Sequence, residues 1–198
     1  MDDFLFSEIA FLSKHNAFYN IILSGGSSPI TLYKKLGTSS ISFANFQFVL
    51  SDDRRVPILD PLSNEGMLNQ SIGLKQDFKL ISLHSKDISK KLSAIPSYKL
   101  AILGMGLDGH FASIFPGMSN LDNALTSSES IELVEDGFPE VPRITMTLTE
   151  IDKAERIILL VTGQEKLDLL LHLTQRTNLP IKNLIIKTQP KLIIATTP

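Results

Sequence analysis

The chain has 198 residues, 43% of them hydrophobic and 20% charged, with a net charge of −2 and no cysteine. That length and composition suit one globular domain, residues 1–198, with a full core. The charge gives no basic field for nucleic acid, and the lack of cysteine removes disulfides, thiolate metal sites and a cysteine nucleophile.

Met1, Asp2 and Asp3 open the chain, and Glu8 interrupts the apolar stretch that follows. A secretory signal needs a positive start and an unbroken apolar core. The apolar runs, such as residues 157–161, are too short to span a bilayer. A cytoplasmic protein with no membrane partner is therefore expected. Phe4, Leu5, Ile9 and Leu12 predict an amphipathic helix. Residues 21–23 predict a first strand, which runs into Ser24-Gly25-Gly26-Ser27-Ser28-Pro29 and then a helix over 30–36. Ser28 fits the N-cap of that helix and Pro29 its first turn. A strand, a Gly-Ser loop and a helix start can bind phosphate through free backbone N–H groups and the helix dipole. The same arrangement is equally a capped helix after a tight turn.

Residues 46–50 predict a second strand, which delivers Ser51-Asp52-Asp53-Arg54-Arg55 at its end. If the strands are parallel these charges face the same rim as the Gly-Ser loop; otherwise they form a solvated turn. Ser63 is placed to cap a helix that begins near Asn64. Residues 80–83 predict a third strand and 86–95 a helix.

Residues 100–103 form a short apolar run followed at once by Gly104, which suits a buried strand. Gly104, Gly106 and Gly109 follow it, with Asp108 and His110 inside the turn. Glycine allows a sharp turn and a close ligand approach. A short helix is expected there, ended by Pro116. Strand ends that turn into helix starts are where open α/β sheets bind ligands, and histidine titrates near neutrality. The spacing also matches the dinucleotide pattern G-x-G-x-x-G. That reading is the weaker one, because the motif lies mid-chain and Pro116 cuts its helix short.

Residues 117–142 carry loop signals, with an edge strand expected over 131–134. Residues 143–148 alternate and predict a strand, as do residues 156–161. A helix over 166–173 follows, Pro180 breaks the chain, and residues 192–195 predict a last strand. This alternation of strands and helices predicts an α/β fold: a single-domain, Rossmann-like, largely parallel sheet with helices on both faces. Of the four histidines, His15, His84 and His172 have no motif around them and read as surface or partly packed.

Four stretches, taken as a set, resemble the 6-phosphogluconolactonase family, which shares its fold with glucosamine-6-phosphate deaminases and isomerases. They are residues 24–29, residues 51–57 with Ser63-Asn64 behind them, residues 104–117, and Arg143-Ile144-Thr145-Met146-Thr147. The resemblance implies hydrolysis of 6-phosphogluconolactone to 6-phosphogluconate in the pentose phosphate pathway, with no metal or organic cofactor. Deaminases carry His-x-Ala-Phe-Asn-Glu-Pro, whose Glu supports ring opening. Here Phe115 stands at that position, in His110-Phe111-Ala112-Ser113-Ile114-Phe115-Pro116. Phenylalanine cannot exchange protons, so a deaminase or isomerase is the second choice. A non-catalytic sugar-phosphate sensor is the third, since the chain has no basic DNA-binding stretch. The family's usual Thr is replaced by Phe111, a departure that bears on the site's local shape. The second acidic residue of its Asp-Glu-Arg is the shorter Asp53. The family's leading strand is expected to be missing.

The resemblance implies His110 as general base toward the attacking water. A base needs a neutral imidazole, so activity should fall in acid. Arg54 is expected to stabilise the oxyanion, with help from N–H groups of the 104–109 turn, Gly106 among them. Asp52 is expected to orient Arg54 or a substrate hydroxyl, and Asp108 to shape the turn. Gly25, Gly26 and Ser27 would hold the phosphate, with Asn64 nearby in the site. Arg143 and Lys166 would neutralise the phosphate charge, roles carried over from the phosphate site of the fold. Lys166 lies at a helix start, where a cation is unfavourable to the dipole, which slightly favours a functional reason for it.

Overall fold

The computed structural model of the chain describes residues 1–73, 75–175 and 178–197. In chain order it contains α1 (Asp2–Ser13), β1 (Tyr19–Leu23), α2 (Ile30–Thr38), β2 (Phe46–Leu50), β3 (Asp52–Arg54) and α3 (Asn64–Ser71). Then come β4 (Leu80–Ile81), α4 (Ile88–Ser93), β5 (Leu100–Gly104), α5 (Leu121–Thr126), β6 (Ile131–Val134) and β7 (Arg143–Met146). The chain ends with α6 (Leu148–Ile151), β8 (Ile157–Thr162), α7 (Gln164–Leu171), α8 (Pro180–Thr188) and β9 (Leu192–Thr197).

Six strands form one sheet in the order β4-β2-β1-β5-β8-β9. Every pairing in it is parallel. Numbered by their own sequence, these strands run 3-2-1-4-5-6, the doubly wound Rossmann order. Successive side chains on a strand point to opposite faces. All of Ile157, Ile158, Leu159, Leu160 and Val161 are fully buried, so both faces of the sheet are covered. Apolar burial of this kind contributes roughly 25 cal/mol per Å² removed from water. The edge strand β9 is different: Ile193 and Ile194 remain 38% and 44% exposed. No helix among the described residues is long and apolar enough to cross a membrane.

Strand order reverses between β1 and β5, and ligands of this architecture bind above that switch point. The loops leaving these two strands are residues 24–28 and 105–110. A second, antiparallel sheet, β3-β7-β6, stands beside them.

Several expectations need correction. The charges after β2 are not a solvated turn: Asp52, Asp53 and Arg54 pair with Thr145, Ile144 and Arg143 of β7. Residues 143–148 form a shorter strand than expected, because the Thr147 hydroxyl accepts from Glu150 N and starts α6. No helix follows Gly109. Residues 105–114 are turns tied by bridges from Phe111 to Met105 and Ile114, and Gly109 and Ala112 have φ of +79° and +47°, which no helix admits. This removes the helix the dinucleotide reading needed. Ser28 is not the cap of α2; Pro29 holds that position, and the Ser28 hydroxyl meets Thr162 Oγ1 at 3.1 Å. Pro180 does not break the chain but opens α8, since its missing N–H costs nothing at a first helical position.

Candidate active site

One cleft, of about 220 Å³, opens at the switch point. It is lined by Gly25, Gly26, Ser27, Asp52, Arg54, Asn64, Gly106, His110, Arg143 and Lys166, all ten residues singled out from the sequence.

The loop after β1 forms its floor. Gly26 has φ of +82°, and a Cβ on Gly25 would stand 2.0 Å from Asn64 Cγ, so glycine is required by conformation at one and by space at the other. The loop leads into the nine-residue helix α2, whose N-terminus is a favourable place for an anion. The buried Tyr33 of α2 donates to Ser24 O at 2.8 Å and pins the loop from below. Ser24 Oγ is buried with no partner among the described residues.

The loop after β5 carries His110. Its Nδ1 lies 2.6 Å from Asp108 Oδ1, and its backbone N–H donates to the same oxygen at 3.2 Å. A carboxylate at Nδ1 keeps the proton there and leaves Nε2 with the lone pair. Asp108 therefore orients the imidazole as well as shaping the turn. Burial raises its pKa, but the hydrogen bond and charge of His110 outweigh that and hold it below the ordinary 3.8. Gly106 is a necessary glycine, since a Cβ there would meet the His110 ring at 2.3 Å. Its N–H is spent on His110 O at 2.9 Å, and that of Gly109 on Gly106 O at 3.1 Å. These two glycines are thus not the oxyanion donors the sequence suggested. Phe111 is fully buried in the core, so its ring does not line the cleft, although its backbone bridge to Met105 helps to shape the turn.

The second sheet supplies the charged wall. Arg54 Nη1 donates to Asn64 Oδ1 at 2.6 Å and to Leu62 O at 3.2 Å. Asn64 Nδ2 donates to Asp52 O at 3.0 Å. Asn64, only 3% exposed, is committed to holding Arg54 rather than a ligand. Asp52 does not orient Arg54. Its carboxylate accepts from Ser51 Oγ at 3.0 Å and Ser113 Oγ at 2.6 Å, tying this wall to the His110 loop. Arg143 is buried, donates to Pro139 O at 3.0 Å, and lies 5.1 Å over the Phe115 ring. Burial first, then the charge of Arg54, pushes its pKa below the usual arginine range. The Nε atoms of both arginines are buried without a partner among the described residues. Unmet buried donors of this kind are costly, and an anion in the cleft would relieve the cost. Lys166, in the first turn of α7, has its pKa lowered by burial. Phe115, which replaces the deaminase Glu, packs against His110 with ring centroids 4.5 Å apart.

Residues 3–194 match the family of glucosamine-6-phosphate isomerases and 6-phosphogluconolactonases. The chain belongs to that family. Within the family, it is 32% identical over 173 residues to 6-phosphogluconolactonase of Thermotoga maritima, covering 81% of this chain and 76% of that one. It is 35% identical over 200 residues to the Haemophilus influenzae 6-phosphogluconolactonase, covering 90% and 84%. Its fold matches the crystal structure of the Thermotoga maritima 6-phosphogluconolactonase with a TM-score of 0.83, at 26% identity, over 98% of this chain and 94% of that one. A Shewanella baltica 6-phosphogluconolactonase structure shares the fold with a TM-score of 0.84 at 24% identity, covering 98% and 89%.

Proposed function

We propose that this cleft hydrolyses 6-phospho-D-glucono-1,5-lactone to 6-phosphogluconate, the lactone-opening step of the oxidative pentose phosphate pathway, in the cytoplasm. The observation that carries the reading is a histidine, held by a carboxylate behind it, that shares one small cleft with two arginines and the loop that leads into a helix. The similarity to 6-phosphogluconolactonases supports it.

His110 Nε2 takes a proton from water, and the water oxygen attacks the lactone carbonyl carbon. Asp108 holds the resulting imidazolium. Arg54 stabilises the oxyanion; such a preorganised donor is worth about 10²–10³-fold. The intermediate collapses with cleavage of the ring carbon–oxygen bond, and the departing ring oxygen takes the proton back from His110. The elements of one water are added and no redox step occurs. Backbone N–H groups of Gly25, Gly26 and Ser27 hold the phosphate, with Arg143 and Lys166 balancing its charge.

The test is hydrolysis of freshly made lactone, coupled to 6-phosphogluconate dehydrogenase, with the spontaneous opening subtracted. Acceleration by the wild type and its near-loss in a folded His110→Ala protein are expected. No acceleration by folded wild type, or release of ammonia from glucosamine 6-phosphate instead, overturns the reading.

A further inference from the structure

We infer that His84 is a positioning residue for Arg54, acting through the buried carboxylate of Asp53; this rests on the reading of Arg54 as a group that acts on the substrate. Nothing in the sequence around His84 singles it out. The tertiary structure sets its Nε2 3.1 Å from Asp53 Oδ2. The Asp53 side chain is fully buried, whereas that of His84 is one-third exposed.

Asp53 is the joint of the charged wall. Its Oδ1 accepts from Arg54 N at 2.8 Å and Asn64 N at 2.6 Å. Its Oδ2 accepts from Glu65 N at 3.2 Å and, more weakly, from Ser63 Oγ at 3.4 Å. One carboxylate thus fixes the backbone of Arg54, the backbone of the residue that grips its guanidinium, and the N-terminus of α3, where a negative charge is favourable. His84 adds a side-chain donor from a separate part of the chain, the turn after β4. That turn is itself anchored: Ser82 Oγ donates to Glu65 Oε2 at 2.6 Å and accepts from His84 N at 3.2 Å. His84 and Ser82 together clamp the start of α3 from the sheet edge.

One carboxylate oxygen from each of Asp53 and Glu65 and one ring nitrogen of His84 lie within 4.8 Å of one another. Both oxygens of Asp53 are already met by N–H or O–H donors, so the cluster is a hydrogen-bonded joint rather than a metal centre. Because Asp53 accepts, Nε2 of His84 carries the proton. A glutamine amide at position 84 offers a donor of similar reach, and an alanine offers none.

The test compares wild type, His84→Ala and His84→Gln. Amide hydrogen exchange at Arg54, Asn64 and Glu65 is expected to quicken about tenfold in His84→Ala and to return toward wild type in His84→Gln. In lactone hydrolysis, kcat is expected to fall about threefold to tenfold in His84→Ala with KM nearly unchanged, and to recover in His84→Gln. In an Arg54→Lys background the same His84→Ala change should then have no further effect on kcat, because residues that act through one another are not additive. Unchanged exchange at the three amides, or an equal kcat loss in the Arg54→Lys background, overturns the inference. If the wild type does not hydrolyse the lactone, the proposed function fails, while the exchange measurement still decides whether His84 holds the joint.

Discussion

The two sides of the cleft are built in opposite ways. On one side, His110 takes its partner from two positions away in its own turn and is 30% exposed. On the other, Arg54, Asn64, Asp52 and Arg143 are positioned by contacts between β3, β7, α3 and the 113 turn. The difference follows from what each group must do. A base has to meet water and exchange a proton, so it is held locally at the cleft surface. Cations that stabilise charge gain strength where solvent is excluded, but exclusion demands a framework drawn from distant sequence.

The largest effect is expected from breaking the local side. His110→Ala should lower kcat about 10²–10⁴-fold in the coupled assay without unfolding the protein. Asp108→Asn sharpens the same point: it keeps the size of the side chain but removes the carboxylate that fixes the tautomer. A smaller loss of kcat is expected, and no loss would return Asp108 to a purely turn-shaping role.

The framework side is tested first at the cation. Arg54→Ala should cost about 10²–10³-fold in kcat. Gly25→Ala probes the same cation from across the cleft. Its new Cβ would strike an Asn64 side chain pinned by hydrogen bonds at both ends, and so displace Arg54. A loss of up to about 10²-fold in kcat is expected, because small misplacements of reacting groups carry that cost. A crystal structure showing Arg54 in place in Gly25→Ala would refute this route.

Arg143→Gln should act on binding instead, raising KM about tenfold while leaving most of kcat, since a charge-assisted contact to phosphate is lost.

The smallest effect is a proton. Burial holds the Lys166 pKa below its ordinary 10.5. A bound phosphate dianion favours the charged form and raises it again. The complex therefore binds more protons than the free protein, so 6-phosphogluconate binding should take up protons at alkaline pH. Calorimetry in two buffers of different ionisation enthalpy reads this uptake, and Lys166→Met should abolish it.

The strands of the main sheet were readable from sequence because their signal is local. Runs such as residues 100–103 and 157–161 are short, continuous and apolar, and each is bounded by turn residues, the pattern that suits a strand buried on both faces. The glycine loops were readable for a related reason: Gly25, Gly26 and Gly106 sit where backbone conformation or a close neighbour excludes a side chain. Ten of the residues lining the cleft could be named in advance: nine lie in the four recurring stretches, and Lys166 is carried over from the phosphate site of the fold. Their mutual roles could not. Asn64 reads as a ligand-binding residue until Arg54 is seen to occupy its oxygen, and Asp52 reads as the partner of Arg54 until Ser113 is seen on its carboxylate. Gly104, Gly106 and Gly109 read as the start of a helix until the pairing of Phe111 with Met105 closes the turn. Sequence by itself determined which loops form the cleft, since strand ends and glycine turns depend on short-range pattern and backbone freedom. Tertiary structure decided which side chain holds which, since each hydrogen-bonding group has several chemically suitable partners and only the packing of distant elements selects among them.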